Sequence, residues 1–406
     1  MTGAEAARAT IRPLAAIAPG LHRQRRATLL ARVGRPLLVF GMGSALGAGS
    51  KSHGALRHLT GWDGHESASL LLLTPDRARL ILASPFMQPL AAELLPELDP
   101  LYAPPDAWPS LVRPHLPAAP TGVIGIEEMP LPTAQAFGPA IMADPAATDA
   151  LNRMRVIKDP PALDLHRAGA TICDALFAAL PPLIRPGRSA ALVQRELEGM
   201  ALSLGADYCR TWLTIRAQAD RPRYWPAEAT AIAAQGDQVL MGIALTVDGH
   251  WAHGIRMGSV GPMRPEHQRL MQIVADCLRA GLAMARPGVA VTALADTMEA
   301  AFTAGTKGLD LTAAQRFRFG HGLGLSYEDP ILTDAFVQGF GTATTPARAE
   351  GAGGTLTPGM VLELHPNLFL PGCGGAALGE MVIITDTGPD CPITHPLSPW
   401  VMDLPA

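Results

Sequence analysis

The sequence predicts an α+β protein that carries a smaller α/β domain at its N-terminal end. Three observations support this expectation. Short apolar runs at 36–42 ("PLLVFGM") and 69–84 ("SLLLLTPDRARLILAS") read as buried strands, the second folded back at Pro75 and Asp76. Beyond residue 150, stretches at 161–180, 190–204 and 265–284 repeat their apolar residues at helical spacing. Paired strand-like segments follow, at 237–247 and 251–260 around Asp248 and Gly249, and at 360–370 and 376–385 around "PGCGG". Helices succeeded by antiparallel strands, with no regular βαβ alternation, point to α+β.

In chain order, the first two strand runs give a strand-rich domain of residues 1–150. Proline clusters at 104–120 and a proline/alanine stretch at 139–147 read as loops leading to its boundary. The second domain is then 151–406, opening on a helix with a proline early in its first turn at Pro161. "AEGAGG" at 349–354 is a local flexible segment, and no solenoid period is visible.

Composition narrows the classes. The chain has 406 residues, 17% charged and 48% apolar, with a net charge of -4, so it can bury a large core and offers no basic tract for nucleic acid. Its five cysteines, Cys173, Cys209, Cys277, Cys373 and Cys391, form no C-x-x-C pair, which argues against a disulfide framework or a zinc ribbon. The first residues lack the apolar core of a signal peptide, and no run of about 18 apolar residues could span a bilayer. A cytoplasmic protein with no membrane association is expected.

Four separated stretches stand out: "HLTGW" at 58–62, "RVIKDPPALDLHRAG" at 155–169, "GHGLGL" at 320–325 and "TPGMVLELHPNLFLPGCGGAALGEMVIIT" at 357–385. Together they resemble the pita-bread fold family of creatinase, prolidase, aminopeptidase P and methionine aminopeptidase. The resemblance implies a pita-bread catalytic domain behind a creatinase-like N-terminal domain. It also implies a homodimer in which residues 1–150 help close the neighbouring subunit's pocket.

In the metallopeptidase members of that family, two aspartates, a histidine and two glutamates hold two divalent metals. Carried over residue by residue, the first aspartate position is Gly242 and the second, eleven residues on, is His253. The histidine is kept as His321, the first glutamate becomes His365, and the second, fourteen residues later, becomes Gly379. The resemblance assigns both glycine positions to the second metal, which should therefore be absent. His253, His321 and His365 would then hold one divalent transition metal per chain: zinc, iron or copper.

The same carry-over alters the peptidase machinery. Trp225 stands where a family histidine lies upstream of the hairpin, and Glu328 stands where a second histidine follows the "GHG" segment. Ordinary Xaa-Pro peptidase activity is not expected. Glu328 would repel a peptide carboxylate and could pair with a cationic substrate.

Glu363, two residues before His365 on a strand and so on the same face, could be a general base, a partner for an imidazole or a fourth ligand. Glu380 should point away from that face. Arg256 is expected to pair with a carboxylate near the site. Arg210, Arg221 and Arg223 could meet a substrate anion, and Trp225, Trp251 and Tyr327 could line an apolar pocket for a small molecule. Hydrolysis at a three-histidine centre is the leading expectation. Oxygen activation by iron or copper, metal-free creatinase-like C–N hydrolysis and a non-catalytic binding role are the alternatives.

Overall fold

The computed structural model describes residues 18–44, 49–222, 229–337 and 351–404, and these form two units. One runs to Arg155 and takes in Gly324–Tyr327; the other comprises Val156–Leu323 and the chain from Glu328 onward.

The N-terminal unit is built on a six-stranded sheet. Its strand order is Leu101–Tyr102, Arg77–Leu82, Ser69–Thr74, Leu37–Gly41, Thr121–Ile124, Ile141–Ala143. The central strands are apolar at nearly every position because both faces are covered. Leu37, Val39, Leu71 and Leu73 pack with Leu29, Leu56 and Leu59 from helices Pro19–Val33 and Lys51–Thr60. Leu38, Phe40, Leu70 and Leu72 pack on the other face with Trp108 and Phe137. Each fully buried leucine or phenylalanine contributes roughly 1.5–3 kcal/mol relative to exposure.

The expected boundary at 150 falls inside a helix, Pro145–Arg155, which starts within the stretch read as a loop. Its Ala147 and Leu151 are buried in the N-terminal core, so this unit ends at Arg155. Pro145 is compatible with that helix because a first-turn residue donates no intrahelical hydrogen bond.

In the second unit, helix Pro160–Leu183 begins on an Asp159 cap whose carboxylate accepts from Ala162 N at 3.2 Å. It packs on strands Asp237–Val247 and His250–Val260. These two strands form the expected hairpin, with Val247 paired to His250. Asp248 at φ 44° and Gly249 at φ 72° supply the left-handed pair that a two-residue turn requires. Tyr208–Ala217 lies along one side of the hairpin, and Trp400–Met402 pairs in parallel with the other.

The second expected strand pair divides. Val361–Leu364 and Glu380–Thr385 pair in one sheet with Gly320–Gly322 and Gly388–Asp390. Asn367–Leu370 and Gly374–Ala377 form a separate two-stranded ladder. Pro366 has no N–H to donate to a ladder, and the break falls at His365–Pro366 on one strand and Leu378–Gly379 on the other. Among the described residues no helix is long and apolar enough to cross a membrane.

Candidate metal centre

Three strands bring the polar cluster together. On the hairpin, His253 pairs with Ala244 and Ile255 with Gly242, so strand alternation puts His253 and Ile255 on one face. Ile255 and Gly379 exchange backbone hydrogen bonds of 3.2 and 3.0 Å, joining the hairpin to the second sheet. In that sheet His321 sits directly opposite Glu363. His365 follows two residues later, anchored by its N–H donating to Phe319 O at 2.8 Å.

Glu363 Oε2 lies against His253 Nδ1 and 3.6 Å from His321 Nε2. Donor atoms of His253, His321 and Glu363 all fall within 4.8 Å of one another, close enough to share one ion. The Glu363 carboxyl is fully buried, and neither of its oxygens accepts a hydrogen bond. His321 Nδ1 is 3.0 Å from Gly322 O; donating there puts the proton on Nδ1 and turns the Nε2 lone pair toward Glu363. Burial, followed by the His321 and His365 imidazoles, pushes His253 well below the usual histidine range. Burial and then His321 do the same to His365. Neutral imidazoles are the form that binds a metal.

His365 is not part of the three-residue group, although its ring centroid is 5.1 Å from that of His321 and 6.0 Å from that of His253. The three imidazoles lie close together, and Glu363 is the residue whose donor atom could share an ion with His253 and His321. Gly379 leaves it room. A β-carbon there would fall on Glu363 Oε1 and within 2.8 Å of Ile255, so the carboxylate fills space that a side chain at 379 would occupy. A buried carboxylate with unsatisfied oxygens facing two imidazole nitrogens fits a cation, which would supply the compensation the protein lacks.

Gly242 shows the same substitution of one group for another. A β-carbon on it would lie 2.8 Å from Trp212 Cε3, and the indole stands edge-on to His253 at 5.6 Å with 74° between the planes. Sequence reasoning missed Trp212. It pairs with Gly242 across strands separated by a long connection, and that register is not written in either strand.

The remaining candidates are dispersed. Arg256 is three residues from His253 and therefore on the opposite face. It donates to Gly379 O at 2.5 Å, Glu380 Oε2 at 2.9 Å, His395 O at 2.9 Å and Pro396 O at 3.1 Å, with Phe177 5.1 Å from its guanidinium carbon. It pairs with a carboxylate, Glu380, on the face of the strand turned away from His253.

Glu328 is 41% exposed and pairs with Arg318 at 3.3 Å. Its neighbour Asp329 is buried against Lys158 Nζ at 3.1 Å. Tyr327 is half-buried in Gly324–Tyr327, which belongs to the N-terminal unit. Trp225 and Arg223 lie outside the described residues. Arg210 pairs with Glu198 at 3.5 Å, and Trp251 packs against Tyr208 at 5.7 Å.

The profile of metallopeptidase family M24 matches residues 164–386, more than half of the chain. A probable dipeptidase PepE of Mycobacterium bovis is 27% identical over 286 residues, covering 68% of this chain and 69% of that protein. Among solved structures, dipeptidase PepE from Mycobacterium ulcerans superposes with a TM-score of 0.72 at 21% identity over 96% of this chain and all of its own. The prolidase from Pyrococcus horikoshii gives 0.73 at 15% identity over 92% and 98%. The shared architecture is the pita-bread fold behind an N-terminal domain. With the profile seated on the strands that carry the cluster, the chain belongs to metallopeptidase family M24 and is a metal-dependent hydrolase of that family.

Proposed function

We propose that this protein hydrolyses a small-molecule substrate other than an Xaa-Pro dipeptide, using a single divalent ion held by His253, His321 and Glu363. The observation that carries the reading is the fully buried Glu363 carboxylate, whose oxygens accept no hydrogen bond while facing two imidazoles. When bound, a zinc, iron or copper ion supplies Lewis acidity, lowering the pKa of water and polarising a carbonyl. The chain's own residues do the rest. His253 and His321 present neutral nitrogens, Glu363 contributes the negative charge, and His365 lies beside them as a hydrogen-bonding group for substrate or water. Hydrolysis is favoured over oxygen chemistry by the kinship to a probable dipeptidase, which is an argument by analogy.

Xaa-Pro dipeptides are disfavoured because Gly242 and Gly379 offer no carboxylates for a second ion and Trp212 and Glu363 fill the space beside them. Metal analysis of protein purified without chelator or added metal should find close to one transition-metal ion per chain. Turnover of Xaa-Pro dipeptides with added manganese or cobalt should be negligible. Two ions per chain, or robust dipeptidase activity, would overturn the reading.

A further inference from the structure

The groups around the cluster are closed off. His253, His321, Glu363 and His365 are all buried, the most exposed of them 8%. Trp212 differs, being only half-buried although it stands edge-on to His253 at 5.6 Å. Its indole reaches that position because Gly242, its cross-strand partner, has no side chain to fill the same space. A large ring that stays partly open to solvent beside buried ligating nitrogens is what a pocket lining requires.

From this geometry we infer that Trp212 is the specificity-determining wall of the centre, selecting substrates that carry a planar or aromatic group next to the bond that reacts. The inference rests on the proposed metal centre and adds a substrate class to it. Stacking against the indole is sequence-local on one side only: strand Tyr208–Ala217 supplies the ring, while the hairpin strand opposite supplies the vacancy at Gly242 that seats it. A methyl added at Gly242 would meet Cε3 at 2.8 Å and displace the ring, so the wall depends on both positions.

The test uses two metal-binding probes that differ in the group placed beside the ion, acetohydroxamate and benzohydroxamate. Each is titrated calorimetrically into the full-length protein while its ion content is measured. The native protein should prefer the aryl probe. Trp212→Ala should reduce the aryl-to-methyl affinity ratio roughly two- to tenfold, the range that an aromatic pair adds beyond simple burial. Trp212→Phe should retain most of the ratio, which separates loss of stacking from loss of fold. A native ratio near one with full ion content would overturn the inference, as would a ratio that Trp212→Ala leaves intact. Binding of neither probe to protein that contains no ion would overturn the metal centre, and the substrate class with it.

Discussion

Replacing Glu363 with glutamine should have opposite effects on stability with and without metal. The carboxyl is fully buried, accepts no hydrogen bond and is bounded by His253 and His321. A buried charge left without its partner destabilises by about 3–5 kcal/mol. A neutral amide of the same shape with unmet hydrogen bonds costs about 1–3 kcal/mol. In chelator the variant should therefore be more stable than the native protein by about 2 kcal/mol, a rise in Tm of about 4–8 °C for a unit of this size. With metal present the order reverses. An ion at a hundred times its Kd stabilises the native fold by about 2.7 kcal/mol, and the variant loses most of that. Differential scanning calorimetry of both proteins, each in chelator and with its ion bound, reads all four values. A variant that melts lower than native by the same amount in both conditions would show Glu363 to be an ordinary core group. A native protein indifferent to chelator would remove the metal from the account.

Three further outcomes are expected. His253→Ala should strip the ion, whereas His365→Ala should keep it and lose turnover, read by metal analysis beside an activity assay; loss of the ion in both would return His365 to the ligand set. Arg256→Met should destabilise by about 3–5 kcal/mol in urea unfolding, because it leaves Glu380 buried without its partner, and adding Glu380→Gln should recover part of that loss. Burial lifts the Glu380 carboxyl to about 7 against the pull of Arg256, whose donors are shared with the carbonyls of Ile255, Gly379, His395 and Pro396. A carboxyl raised above its unfolded value of 4.5 holds its proton better in the fold, so this contribution is fully present below 4.5 and is lost as pH rises to about 7. Denaturant midpoints across that window should fall with pH in the native protein and flatten in Glu380→Gln.

By itself the sequence determined the local features: the apolar runs of the first sheet, the long helices, and the hairpin turn at Asp248 and Gly249. It also carried the pattern of retained and replaced ligand positions that led to the family. These follow from periodicity, turn chemistry and motif spacing, all of which act within a few residues or along one segment. Tertiary structure decided which side chains fill the vacancies that the pattern left. Glu363 comes within reach of His253 and His321, and the lack of a side chain at Gly379 leaves room for its carboxylate. Trp212 reaches His253 because the sheet register sets it over Gly242. Arg256 turns away because alternation fixes its face and Glu380 waits behind it. Strands 360–370 and 376–385 were legible as strands, but their division around His365 and Gly379 depended on which partners each half could find. A void between strands is filled by whichever neighbour packs it densely with its polar atoms compensated, and that neighbour is defined only once the chain has closed on itself.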